Sequence, residues 1–317
     1  MIISENDKIQ DIISGLETAY IDSNINSNLA YRPEFISNDY KKGKKVLVSI
    51  ENELRKCDEF SISVAFITMS GITPLLQILK ELEEKNIPGK ILTTNYLNFS
   101  EPEALSKLFE LKNIELKMFC TNDTTGGFHT KGYIFKKDEI YRIIVGSSNI
   151  TSSALTINRE WNTKILSTEQ GELAKDILLE FNELWNSKYS LNYNEFYETY
   201  KEKYKLIKHQ RDIAKNNNVI MDGRDIGTVV LPKAECKIFL TASAECRAQR
   251  RYKELIEKGE NVKYEDVLSD VNERDYNDSH REIAPLKPSE ESVIADTSEL
   301  TLDESIALIV KIIKEHM

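Results

Sequence analysis

Cysteine is sparse, with Cys57, Cys120, Cys236 and Cys246 spread through 317 residues and no C-x-x-C pair among them. This spacing excludes an evident zinc ribbon or dense disulfide framework and fits a reducing compartment. No stretch approaches the roughly 18 apolar residues that a membrane span needs. The start, Met1 to Asp7, turns acidic at once instead of running from a basic segment into an apolar one. The expected address is therefore the cytoplasm. Positive charge is also short: the formal net charge is -10, which excludes a uniformly basic coat. Polyanion binding is left to a local patch such as Tyr40-Lys41-Lys42-Gly43-Lys44-Lys45, a run that is more often simply a solvated loop. No His, Asp and Glu set has convincing metal-ligand spacing, so neither a metal nor a cofactor is expected.

At 40% hydrophobic and 30% charged residues, the chain can bury two modest cores. The first two hundred residues alternate between strand-like and helix-like patterns. Phe60, Ile62, Val64 and Phe66 repeat at period two, as in a half-buried strand. Ser70 to Asn86 follows helical spacing through Ile72, Leu75, Leu76, Leu79 and Leu82. A strand at 90–94 precedes a helix opened by Ser100, with Pro102 in its first turn and Glu103 completing a capping box. Further strands are expected at 114–120, 131–135 and 140–145. A helix over 171–185 should turn Leu173, Ile177, Leu178, Phe181 and Leu184 inward. These elements make an α/β layered domain.

After Trp185 the composition becomes Tyr-, Lys- and Glu-rich with little apolar periodicity, and a domain boundary is expected near Tyr204, dividing 1–204 from 205–317. Beyond it, 218–223 and 237–240 read as short buried strands. Three helices follow, from Ser243 to Lys258, around 264–272, and one capped by Thr301 with Glu304.

Residues two apart in a strand share a face, so His129 and Lys131 would present an imidazole beside an ammonium, a pairing suited to phosphate. Gly146-Ser147-Ser148-Asn149, whose Asn149 stands eighteen residues after Lys131, closes the next strand in a hydroxyl-rich turn, and Glu160 lies on a further extended segment. An imidazole can attack phosphorus, Lys131 and Asn149 can hold its oxygens, and a carboxylate can fix the histidine tautomer. A lone H-x-K also arises by chance, and a single strand histidine is usually a surface or core residue. The case rests on order and spacing: Phe128-His129-Thr130-Lys131-Gly132-Tyr133-Ile134-Phe135, Gly146-Ser147-Ser148-Asn149-Ile150-Thr151, then Asn158-Arg159-Glu160-Trp161-Asn162.

On these motifs the chain resembles the phospholipase D-like nuclease module found at the N-terminus of certain DEAD/DEAH-box helicases. Its motif spacing is also similar to that of metal-independent restriction endonucleases of that superfamily. The resemblance implies His129 as the nucleophile forming a phosphohistidine, Lys131 and Asn149 as phosphate ligands, Glu160 as the histidine's orienting partner, and Ser147 beside them. It implies nucleic acid, DNA before RNA, as substrate and a helicase as a further partner. The aspartate that many members carry after the lysine is out of register here, with Lys136 in its place and Asp138 following. The chain holds one H-x-K set, whereas the mechanism needs a second histidine as general acid. A homodimer sharing one active site is therefore expected.

A second resemblance begins at Val219-Ile220-Met221-Asp222-Gly223-Arg224-Asp225-Ile226-Gly227 and continues through Arg247-Ala248-Gln249-Arg250-Arg251, Glu273-Arg274-Asp275 and Ser279-His280-Arg281. This segment is similar to the later part of bacterial cytidylate kinases, a partial P-loop-kinase-like α/β fragment. The resemblance implies that Arg224, Asp225, Asp275 and Arg281 contact CMP and that Arg247, Arg250 and Arg251 face the transferred phosphate. The three arginines share one helix face and read equally as a solvated stripe. The chain has no phosphate-cradling G-x-x-x-x-G-K-[ST] loop, so kinase activity is disfavoured. The expected function is metal-independent phosphodiester hydrolysis on DNA, with a catalytically silent nucleic-acid-binding module as the alternative and a cytidylate kinase as the third reading.

Overall fold

The computed structural model describes residues 33–120, 128–280 and 286–316, which fall into two compact units, 33–204 and 205–316. The first is organised on an eight-stranded sheet of order β1-β7-β6-β5-β2-β3-β4-β8. Its strands are β1 (Glu34–Ile36), β2 (Glu59–Val64), β3 (Gly89–Thr94), β4 (Ile114–Phe119), β5 (Lys131–Lys137), β6 (Ile140–Gly146), β7 (Asn162–Thr168) and β8 (Ser190–Asn192). β2, β3 and β4 are parallel and the other pairings antiparallel.

Helices α1 (Val46–Leu54), α3 (Leu76–Glu84), α4 (Pro102–Phe109) and the start of α7 (Tyr193–Asn216) share one core with Phe60, Ile62, Val64, Tyr133 and Phe135. α6 (Glu172–Asn186) shares another with Leu92, Ile134, Ile143 and Ile165. Because both faces are covered, β2 is buried on both sides, Ser61 and Ser63 included, and not half-buried as its alternation suggested.

Local chemistry explains the other departures. The helix expected over 70–86 is interrupted: α2 (Met69–Ile72), N-capped by the Thr68 side chain, gives way to a 3-10 turn at Thr73-Pro74-Leu75 before α3. Pro74 cannot donate the helical hydrogen bond. Ser100 forms no capping box. Its hydroxyl is buried, accepting from Ile67 N at 3.2 Å and lying 3.1 Å from Thr93 Oγ1, while Glu101 stands at the N-cap of α4. On α6, Leu173 is exposed and Ala174, Phe181 and Trp185 form the buried stripe. The Tyr-rich stretch after Trp185 is helical because its periodicity is aromatic: Tyr193, Phe196 and Tyr200 are buried at i, i+3 and i+7.

In the second unit, β9 (Ile238–Thr241) and β10 (Val293–Asp296) form a two-stranded parallel sheet, and α8 (Ala244–Glu257) packs with α9 (Tyr264–His280) through Ala248, Leu255 and Val267. α10 (Leu302–Glu315) opens with the expected box, in which the Thr301 side chain and Glu304 satisfy each other's backbone N–H groups. Residues 218–223 are not a strand, and Ile220 is 92% exposed. The partner of β9 is instead β10, a segment without a strand expectation. Strand propensity without a pairing edge does not make a strand.

Candidate active site

The register of three antiparallel strands gathers the polar motif. Gly132 lies opposite Val145, and Gly146 opposite Asn162. The start of β5, the end of β6 and the start of β7 therefore meet at one end of the sheet, carrying His129 and Lys131, Ser147 to Asn149, and Glu160. Lys131 Nζ lies 2.6 Å from His129 Nδ1 and donates to the His129 carbonyl at 2.7 Å. Partial desolvation, and then the neighbouring ammonium, hold the His129 pKa below the ordinary histidine value. Desolvation also lowers Lys131, opposed by the negative charge of Glu160. With Lys131 as donor, Nδ1 accepts and the neutral ring carries its proton on Nε2.

Glu160 takes the hydrogen bond of Ser147 Oγ, which in turn accepts from Trp161 N at 3.0 Å. Among the described residues its carboxylate is thus bound to Ser147, and the group on His129 Nδ1 is Lys131. Asn149 uses its side-chain oxygen structurally, accepting from Ala65 N at 3.0 Å and Phe66 N at 3.1 Å. Its amide nitrogen is the group it could offer an anion. Lys136 and Asp138 lie at the far end of β5, where Lys136 pairs with Glu169 at 2.8 Å and Asp138 N donates to Asp58. The Tyr40–Lys45 run is tied back as a turn, with the Lys41 and Lys42 N–H groups donating to Asp39.

Several residues of the site have no role assigned from the sequence, although Tyr133 and Asn162 lie within the motif segments. Asn162 is 2% exposed; its Oδ1 accepts from Ser148 N at 3.3 Å and its Nδ2 donates to Ser148 Oγ at 2.9 Å. The buried Tyr133 hydroxyl donates to Ser148 O at 2.9 Å. The two hold the turn after β6, and a Cβ on Gly146 would strike Asn162 and the Trp161 carbonyl. Phe66 and Tyr96 meet the His129 ring edge-on at centroid distances of 6.2 and 6.0 Å. An aromatic residue placed just after a strand was the available clue.

In the second unit the described residues assigned to nucleotide contact are engaged by partners within the unit. Arg247 grips Asp275 through two hydrogen bonds of 2.7 and 2.5 Å, and Arg224 Nε donates to Asp278 at 2.6 Å. Arg247 holds the Asp275 carboxyl below the usual carboxylate range. Arg250 donates to the carbonyls of Thr297 and Leu300, and Arg251 to Glu254. The Asp225 carbonyl closes the turn that follows it, accepting from Val229 N at 2.8 Å. The three arginines of one helix face thus turn to different partners. Arg281 lies outside the described residues.

Comparison with known proteins finds a match in each part of the chain. Residues 50–185 match the family model "Cardiolipin synthase, PLD-like domain", and residues 192–315 match "Cytidylate kinase". The chain joins a phospholipase D-like domain to a cytidylate kinase-like region. The cytidylate kinase of Thermosipho melanesiensis is 56% identical over 110 residues, 35% of this chain and 51% of that protein; the Flavobacterium johnsoniae enzyme is 51% identical over 111 residues, 35% and 48% of the two chains. The chain thus spans about half the length of the curated relatives it matches. NucT from Helicobacter pylori aligns with a TM-score of 0.41 at 16% identity, over 51% of this chain and 99% of its own. Nuc of Salmonella typhimurium, described as a phospholipase D family member, aligns at 0.40 and 18%, over 51% and 98%. No helix among the described residues is long and apolar enough to cross a membrane, and none of their His, Cys, Asp and Glu side chains form a group of three or more suited to a metal ion.

Proposed function

We propose that the phospholipase D-like domain is a phosphodiesterase of the nuclease type, acting on DNA without a metal through a phosphohistidine. The observation that carries this reading is the 2.6 Å approach of Lys131 Nζ to His129 Nδ1 at an exposed strand end, beside the Ser147–Glu160 pair. A phosphodiester bound here draws the Lys131 ammonium onto a non-bridging oxygen and frees the imidazole of its cationic partner. A ring nitrogen then forms the N–P bond as the P–O ester bond breaks. Asn149 and Lys131 stabilise charge on the equatorial oxygens. The leaving oxygen needs a proton, which we assign to His129 of the partner subunit in a two-fold dimer. Water next attacks phosphorus, breaks the N–P bond and returns a proton to that histidine. A helicase partner belongs to the same proposal.

One observation favours the second reading, a nucleic-acid-binding module without turnover: Glu160 is engaged by Ser147 and not by the imidazole it would orient. The pairing of Arg247 with Asp275 and of Arg224 with Asp278 weighs against a nucleotide seat in the kinase-like region. Cleavage of plasmid and single-stranded DNA in excess EDTA, by the intact chain and by His129→Ala, separates these readings. Cutting that persists in EDTA and disappears in the variant is the expected result; no cutting by either protein leaves the binding module.

A further inference from the structure

Exposed aromatic rings stand on both sides of the proposed phosphate position, along the same end of the sheet. Trp161, next to Glu160 at the start of β7, is 75% exposed. It meets Phe35 of β1, itself largely exposed, edge-on at 6.0 Å. On the other side Tyr96, just after β3, is 42% exposed and stacks with Phe66 at 6.4 Å. The sheet order β7-β6-β5-β2-β3 puts His129 and Lys131 between them. Four inter-strand spacings, roughly 19 Å, separate strands β7 and β3, and the Tyr96 ring lies 6.0 Å from that of His129.

Exposed rings cost hydration free energy unless something covers them. The chain is net acidic and carries no uniformly basic coat, and the cation held against the imidazole is Lys131. We propose that the substrate of this site is single-stranded nucleic acid, with bases on either side of the scissile phosphate stacked on Trp161 and Tyr96. The inference rests on the reading of His129 and Lys131 as a phosphodiester site. In a duplex the bases turn their π faces to one another, so the rings could stack on them only after unpairing. A strand held by stacking and about one neutralised phosphate should also bind with a shallow salt dependence.

The test uses the full-length His129→Ala protein, so that binding is read without turnover. Fluorescence anisotropy compares a labelled oligodeoxythymidylate with a duplex of equal length and with phosphatidylglycerol vesicles. The expected result is preference for the single strand, an affinity loss of roughly tenfold for Trp161→Ala and again for Tyr96→Ala, and retention in Trp161→Phe and Tyr96→Phe. Trp185 is buried, so fluorescence quenching on binding should report Trp161. Light scattering of each ring variant should match the parent. Equal or tighter binding of duplex or vesicles, ring variants that bind as the parent does, or a loss of binding that tracks a change in subunit number each overturns the proposal. Cleavage is scored separately on the unmutated protein. Cutting with no role for the rings defeats only this inference, while ring-dependent binding without cutting defeats only the nuclease reading.

Discussion

The two regions of this chain use charged side chains in opposite ways. In the phospholipase D-like domain, a sheet covered on both faces fixes the ends of its strands. Polar groups at one end can then be left facing outward: His129 is exposed, and Lys131 is held by the imidazole and its carbonyl, with Glu160 near by. In the kinase-like region the sheet has two strands, Leu240 and Ile294 are 57% and 62% exposed, and the buried helix contact rests on Ala248, Leu255 and Val267. There the arginines close onto Asp275, Asp278 and backbone carbonyls. A large core lets charges serve a ligand, whereas a small one enlists them in holding the fold.

The sharpest break of this contrast is Lys131→Ala. It should reduce phosphodiester cleavage by roughly a thousandfold or more and leave the unfolding midpoint close to that of the parent, since Lys131 anchors only its neighbour. Next in size, Phe60→Ala removes a ring that is 1% exposed and should destabilise the first unit by about 3–5 kcal/mol, read as a shift of its urea transition. Leu255→Ala, in the small cluster, should cost about 2 kcal/mol in the second unit, because a sparse surrounding can relax into the space. Equal losses at the two positions would erase the distinction between the cores.

The motif order His129, Lys131, Ser147, Asn149, Glu160 is legible because antiparallel neighbours bring sequential strand ends together, so linear spacing already encodes proximity. The helices at 244–257 and 302–315 are legible for a local reason, since Ser243 and Thr301 cap them through bonds within three residues. What stays hidden depends on distant partners. Ser100 reads as a cap but its hydroxyl is drawn to Thr93 and Ile67, and β10 becomes a strand only because β9 lies alongside. The ring cage of His129 is hidden in the same way, with Phe66 and Tyr96 arriving from strand ends remote in sequence.

A smaller effect probes the arginine–carboxylate pairing. Arg247 and Asp275 are each more than a third exposed, so solvent screening keeps the pair to about 1 kcal/mol or less. The Asp275 pKa is lowered, chiefly by the Arg247 hydrogen bond. Its contribution is therefore present above the unfolded carboxyl value, near 4, and is lost as pH falls through the lower folded one. Asp275→Asn should lower second-unit stability slightly at neutral pH and bring parent and variant together once pH has fallen through the lowered folded value. A gap that persists into acid would mean that the pair is not what holds the helices.

The smallest effect tests which cause lowers His129. Desolvation comes first and the Lys131 charge second. Lys131→Met removes the charge but leaves Phe66 and Tyr96 against the ring. The His129 titration, followed by NMR and assigned by its loss in His129→Ala, should move upward in Lys131→Met yet stay below the ordinary value of about 6.5. Phe66→Ala, which opens the ring to water, should raise it further than Lys131→Met does. If the unmutated protein cleaves as proposed, the acid limb of its kcat/KM falls below pH 6.5, because the unprotonated imidazole persists to lower pH. If instead Lys131→Met restored the ordinary value alone, the ammonium would be the dominant cause, and the aromatic wall would be left with the substrate as its role.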